Sequence, residues 1–304
     1  MASTIRYHRL PTEQRNPRSR RLDRLTPLQL LRLINREDAS TVRAVARRLP
    51  QIARATRLIA STLRQGGRLF FVGAGTSGRL GVLEAAECPP TFHTSPSMLQ
   101  ALIAGGRPAV FRSQEGAEDD QAGAQAAIER IVRAGDVVVG LTASGVTPFV
   151  DAALRAARAC RARTILVTCH PRSPIPADLR IAVDTGPEVL TGSTRLKAGT
   201  ATKLMLNMLT LGAMVQLGKT HGHLMVDVRP TSRKLRARAI RIIQCLTDCN
   251  EAAAAASLHA AHGDTKTAVV MAARNVPRRI AQHRLIQAGH SLRKALGRNG
   301  HAEG

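Results

Sequence analysis

The chain has 304 residues, 44% of them hydrophobic, enough for one large α/β domain or two smaller units with a sizeable core. Only 2% are aromatic and Trp is absent, so Ala, Leu, Val and Ile must fill that core. The formal net charge of +24 suits small anions; the arginines are scattered along helix faces (Arg43, Arg47, Arg48, Arg54, Arg57) with no aromatic residues between them to stack bases, so no dedicated nucleic-acid role is expected.

Residues 1–24 are polar and rich in Arg and Pro, and predict an extended arm. From Thr26 to Gln65 apolar residues recur at helical spacing (Leu28, Leu31, Ile34, Val42, Val45, Ile52, Ile59, Leu63), which predicts two or three amphipathic helices ending at Gly66-Gly67. Short apolar runs then alternate with helix-length segments: Arg68–Val72, Leu99–Ala104, Asp136–Leu141, Thr164–Cys169 and Ile181–Asp184. That rhythm predicts an α/β fold, a doubly wound parallel sheet whose ligands bind outside the carboxyl ends of the strands.

The first strand leads into Gly73-Ala74-Gly75-Thr76-Ser77-Gly78, ahead of a helical stretch from Leu80 to Glu87. Unpaired amides and the positive end of the helix dipole coincide at such a turn, which favours an anion. The glycines also spell G-x-G-x-x-G, but a dinucleotide site needs a carboxylate at the end of the next strand, and Leu99–Ala104 ends in Gly105-Gly106. The hydroxyls of Thr76 and Ser77 suit a phosphate monoester instead; a capped turn without a ligand is the simpler alternative. A second loop, Thr142-Ala143-Ser144-Gly145-Val146-Thr147, follows its strand in the same way. Two such loops in one sheet, with Gly75, Gly78, Ser144, Gly145 and Thr147, argue for a phosphate cradle.

Thr191 to Gly199 leads into a long helical stretch to Leu217, where Ser193 or Thr194 could cap the helix. Arg195, Lys197 and Lys203 put positive charge near its start, against the helix dipole; an anionic ligand would relieve that cost, and a solvated basic face is the alternative. From Arg233 onward the chain reads as helices only, a small, loosely packed module beyond a boundary near 230. The expected division is thus 1–24, 25–230 and 231–304.

Among 21 acidic residues, Glu115, Glu118, Asp119 and Asp120 form the densest cluster. Glu87 precedes Cys88-Pro89-Pro90, which is expected to end its helix. Carboxylates beside a phosphate cradle suit proton transfer on a phosphorylated sugar, although acidic clusters are often solvated caps. The five cysteines (Cys88, Cys160, Cys169, Cys245, Cys249) include no C-x-x-C pair and suit a reducing compartment. Cys245 and Cys249 with His259 and His262 are a conceivable metal set, but helical packing explains them, and no metal is expected. With no run of 18 apolar residues and no apolar segment near its start, the chain is expected in the cytoplasm, without a membrane partner.

Phe71 to Phe92, Glu115-Gly116-Ala117-Glu118-Asp119-Asp120, Thr191 to Lys203 and Gly222 to Asp227 together resemble the N-acetylmuramic acid 6-phosphate etherases, which have the sugar isomerase (SIS) fold. The resemblance runs from Thr12-Glu13-Gln14-Arg15-Asn16-Pro17 to the C-terminal helices. It implies cleavage of the D-lactyl ether of the phosphorylated sugar, no metal or redox cofactor, a homodimer, and Glu87 and Glu118 as catalytic residues. Ser193, Thr194 and Lys197 join the expected substrate-binding residues. Val146 departs from the Arg common in these relatives, and His223 from their Asn. A phosphosugar-binding regulatory protein resembling the glucokinase regulators would share the Thr191–Lys203 type of segment, but has no need of the two glutamates.

Overall fold

The computed structural model describes residues 7–297; residues 1–6 of the expected arm and 298–304 of the expected C-terminal module lie outside it. The described residues divide into two compact units, 7–86 with 96–210, and 87–95 with 211–297.

The first unit opens with short 3-10 turns at Tyr7–Arg9, Pro11–Glu13, Pro17–Ser19 and Leu22–Arg24 rather than the extended chain expected there. Two helices follow, α1 (Pro27–Ala46) and α2 (Leu49–Arg64). Thr26 and Gln29 cap α1 reciprocally, the Gln29 N–H donating to Thr26 Oγ1 and the Thr26 N–H to Gln29 Oε1, with Pro27 in the first turn. The α/β layer contains β1 (Leu69–Gly73), α3 (Gly75–Phe92), β2 (Leu99–Ile103), the short α4 (Pro108–Phe111), α5 (Gln121–Ile131), β3 (Val137–Thr142), α6 (Pro148–Ala159), β4 (Arg163–Thr168), β5 (Leu179–Ala182) and α7 (Lys197–Gln216). All five expected strands are present, shifted by one or two residues.

They form one parallel sheet in the order β2-β1-β3-β4-β5. Every residue of β1 and β3 is buried, as parallel strands covered on both faces require, which is why they read as unbroken apolar runs. Phe70, Val72, Val138 and Leu166 pack with Ile128 of α5 and Phe149 and Leu154 of α6. At the amino end of the strands Arg68 chelates buried Asp136 through Nη2 (2.6 Å) and its own N–H (2.9 Å), tying β1 to β3 away from the ligand end. The chain leaves β1 toward β2 on one side and returns to β3 on the other. The loops after β1 and β3 therefore diverge and leave a crevice at their carboxyl ends.

The helix expected to end at Cys88 instead continues through Pro89 and Pro90 to Phe92. Both prolines occupy its last turns, where their missing N–H groups deprive only the Ala85 and Ala86 carbonyls of a helical donor, and left-handed His93 (φ 50°) ends it.

The second unit holds α8 (Arg233–Thr247), α9 (Glu251–Ala260), α10 (Thr265–Arg274), α11 (Arg278–Gln287) and α12 (Leu292–Ala295). Expected to be loosely packed, it has a continuous buried core that includes Val226, Val228, Ile243, Leu258, Val269 and Leu285. Asp227 forms ion pairs of 2.9 Å with both Lys219 and Lys266 within it.

The residues that fasten the N-terminal turns converge on Glu37 of α1, which is 2% exposed. Its carboxylate accepts from Lys197 Nζ (2.8 Å), Arg18 Nη1 (2.7 Å) and Asn16 Nδ2 (2.9 Å), and Asn16 Nδ2 also reaches the Pro187 carbonyl. Burial pushes the Glu37 carboxyl up, but these donors outweigh it and hold its pKa at about 2 against an ordinary 4.5. A depressed carboxyl stabilises the fold at pH values above its unfolded pKa, so this contribution is expected to fade as pH falls from about 4.5 toward 2. Lys197→Met leaves a buried carboxylate short of a partner and is expected to cost about 3–5 kcal/mol. Denaturant unfolding followed between pH 7 and 2 checks both effects, with a smaller acid-dependent loss in the variant, whose Glu37 carboxyl is held less far below its ordinary value.

Candidate functional site

The crevice is built by backbone geometry first. Gly75 begins α3 with φ 52°, and the first-turn amides have no helical acceptor. Gly78 lies against the strands so closely that a Cβ there would stand 2.6 Å from both the Gly73 carbonyl and Ile103. Thr76 and Ser77 are thereby fixed at the rim, half-buried.

Across the crevice Thr142, the last residue of β3, organises the second loop. Its Oγ1 lies 2.7 Å from Thr147 Oγ1 and accepts from the Gly145 N–H (3.1 Å). Ser144 Oγ accepts from the Val146 N–H, while the Ser144 carbonyl meets His170 Nδ1 at 2.9 Å. Ser173 Oγ donates to the Gly145 carbonyl. The loop is braced from behind by the turn after β4, with its hydroxyls left at the crevice.

A cleft of about 270 Å³ lies between the loops, lined by Ala74, Gly75, Thr76, Ser77, Leu141, Thr142, Ala143, Ser144, Val146 and Thr147. Glu118, Gly192 and Thr194 also border it, as do Leu10, Thr12 and Glu13 from the N-terminal turns. Gly145 supports the loop from outside this wall. An adjoining cavity of about 310 Å³ shares Ala74, Gly75 and Glu118 with the cleft and adds Arg79, Gln114 and Glu115. Exposed Glu118 stands at the junction, on the 3-10 turn Ala117–Asp119 that left-handed Gly116 starts. Exposed Glu87 lies farther along α3, in the second unit, and lines neither cavity.

Lys197 and Ser193 are not on the cleft wall. The Lys197 ammonium is committed to Glu37, and Lys203 to buried Glu84 (2.7 Å) on α3. Nor do Ser193 or Thr194 cap α7. Buried Glu188 does so, its two oxygens accepting from the Lys197 and Ala198 N–H groups at 2.9 Å each. The charges of Lys197 and Lys203 at that helix end are thus answered by the chain's own carboxylates. Burial raises the pKa of Glu188, against the lowering effect of those two amides.

No three His, Cys, Asp or Glu side chains among the described residues are grouped as metal ligands would be, and no described helix is long and apolar enough to cross a membrane.

Residues 51–158 match the family described as the glucokinase regulatory protein N-terminal SIS domain. An N-acetylmuramic acid 6-phosphate etherase of Gloeothece citriformis is 52% identical over 94% of this chain and 95% of its own length. The same-named protein of Gloeobacter violaceus is 56% identical, over 86% of this chain and 87% of that one, and that of Cutibacterium acnes 50% identical, over 95% and 96%. The chain belongs to the N-acetylmuramic acid 6-phosphate etherase family.

In this etherase family member, sequence reasoning missed the N-terminal wall of the cleft, Glu188 and Glu84. Glu84 lies one helical turn before Glu87 and accepts from Thr210 Oγ1 as well as Lys203, coupling α3 to α7. The E-A-A-E spacing is the signal that could have found it.

The glycines predict graded effects. At Gly145 (φ 74°) a Cβ would lie 2.7 Å from His170 Cβ and 2.9 Å from Ser173 Cβ, whereas at Gly75 (φ 52°) nothing lies within 4 Å. Gly75→Ala is expected to cost about 1–2 kcal/mol, the left-handed backbone penalty alone. Gly145→Ala adds steric displacement, and is expected to lose more stability together with most phosphosugar binding, as read by thermal unfolding and calorimetric titration.

Proposed function

We infer that the chain cleaves the ether joining D-lactate to C3 of N-acetylmuramic acid 6-phosphate, releasing D-lactate and N-acetylglucosamine 6-phosphate. The observation that carries this is the 50–56% identity to relatives bearing that one name, spanning nearly the whole chain. The strand-end cleft supports it with amides and hydroxyls suited to a phosphate monoester. The match of residues 51–158 favours a second reading, a phosphosugar-binding regulator, which uses the loops but needs no carboxylates. Release of D-lactate on incubation with N-acetylmuramic acid 6-phosphate separates the two; binding without release overturns the enzyme.

In the reaction the 6-phosphate sits on the first-turn amides of α3 and the hydroxyls of Thr76, Ser77, Ser144, Thr147 and Thr194. The C1 aldehyde of the ring-opened sugar acidifies C2. Glu118 takes the C2 proton, the C2–C3 double bond forms, and the C3–O bond breaks with its electron pair passing to the lactate oxygen. Glu87 protonates that oxygen and then activates water, which adds at C3 while a proton returns to C2. Each proton transfer contributes about 10²–10⁴-fold.

Two copies share each site. Ser77 and Glu87 are ten residues apart on a continuous helix, roughly 15 Å at about 1.5 Å per residue, farther than a hexose phosphate reaches from C6 to C3. An isologous dimer brings the partner subunit's Glu87 over the cleft. In keeping with a cytoplasmic enzyme, all five cysteines are free thiols, and burial pushes Cys169 up to about 12.

Glu118→Gln is expected to lose both lactate release and exchange of the C2 hydrogen with deuterated solvent, and Glu87→Gln to keep exchange and lose release. Label from ¹⁸O water is expected at C3 of the sugar and absent from lactate. Mixing inactive Glu87→Ala with inactive Thr76→Ala/Ser77→Ala protein, with subunit exchange verified, is expected to restore activity; a mixture that stays inactive places both elements in one chain.

A further inference from the structure

The wall of the cleft contributed by the N-terminal turns carries a carboxylate. The Gly192 N–H donates to the Thr12 carbonyl at 3.1 Å, tying the turn Pro11–Glu13 to the loop that holds Thr194. Gly192 has φ 79°, and a Cβ there would stand 3.2 Å from Glu13 Oε2, so the loop is shaped to leave room for the side chain of Glu13. Oε1 accepts from Thr12 Oγ1 at 3.1 Å, and among the described residues Glu13 has no ion-pair partner, in a chain with 45 Lys and Arg. Gly192 and Glu13 both line the cleft with Thr76 and Ser144.

A carboxylate is an obligate acceptor at neutral pH and repels phosphate. With Glu118 it is one of two carboxylates in a cleft whose remaining polar lining is neutral amides and hydroxyls, and its place there suits the other end of a sugar phosphate. We propose that Glu13 is a substrate-binding residue that recognises the sugar, accepting a hydrogen bond from its acetamido N–H or a ring hydroxyl. The proposal rests on the phosphosugar reading of the cleft. It gives the N-terminal turns a role in selectivity: the loops hold the phosphate, common to many metabolites, and Glu13 tests what is attached to it. The Glu37 cluster, three residues beyond at Asn16, keeps Glu13 in register.

The test uses full-length protein, Glu13→Gln and Glu13→Ala, titrated separately with N-acetylglucosamine 6-phosphate and with inorganic phosphate. Loss of a hydrogen bond to a charged acceptor is expected to weaken the sugar phosphate about ten- to hundredfold in Glu13→Ala, with Glu13→Gln in between. Inorganic phosphate is expected to bind unchanged or more tightly, since a negative charge has gone. In turnover, KM is expected to rise more than kcat falls. Equal weakening of both ligands indicates a displaced wall and overturns the proposal, as does no change in either. Glucose 6-phosphate separates the donors: if the loss is confined to the acetamido sugar, the N–H is the donor; if it is the same for both sugars, a hydroxyl is. Wild-type protein that binds the sugar phosphate but releases no D-lactate fails as an etherase and leaves the Glu13 result standing. Wild-type protein that binds neither probe overturns both.

Discussion

The first unit depends on one buried ion pair, Lys197 with Glu37, both about 3% exposed at the side chain. Such a pair is seldom a large net source of stability, because desolvation offsets the attraction; removing one partner, however, strands the other. The consequence here is geometric. Glu37 belongs to α1, Lys197 opens α7, and Asn16 and Arg18 come from the N-terminal turns, so one carboxylate fixes three separate stretches of chain. With Glu188 holding the first amides of the same helix, the start of α7 is pinned from two sides. The loop Thr191–Leu196 just before it has both ends held, which keeps Gly192 and Thr194 at the cleft.

Sheet topology supplies the remaining order. Because β1 lies between β2 and β3, the loops that follow β1 and β3 part company at the carboxyl edge. Arg68 and Asp136 lock the opposite edge of the same two strands. Rigid strands therefore end in two loops that differ in construction: one is a helix start that offers amides, the other a hydroxyl network around Thr142. Together they suit a phosphate that needs several donors from different directions.

The fold was legible because parallel strands buried on both faces leave continuous apolar runs such as Leu69–Val72 and Val137–Val139, bounded by glycine and hydroxyl turns. The position of Thr76, Ser77, Ser144 and Thr147 on the cleft wall was legible for the same reason, since they lie immediately after those runs. Lys197 was not: a cation near a helix start reads as a ligand contact until Glu37, 160 residues earlier in the chain, is found beside it. The N-terminal turns were misread because local composition says polar and proline-rich, while their order comes from long-range bonds to Glu37, Pro187 and Gly192. Pro89 and Pro90 misled because helix-breaking rules apply to helix interiors, and these residues lie at an end.

Among the described residues the cleft wall has neither Lys nor Arg, although the chain as a whole carries +24. On the proposed reading of the cleft, attraction and retention of an anion fall to different parts of the molecule. The diffuse positive field accelerates encounter and is screened over about 10 Å at 0.1 M salt, whereas short hydrogen bonds from amides and hydroxyls inside the cleft are nearly indifferent to ionic strength. Salt should slow capture of a phosphosugar while leaving its escape rate almost unchanged. A phosphate held by neutral donors alone is also released more readily than one clamped by guanidinium, which favours turnover over tight product binding.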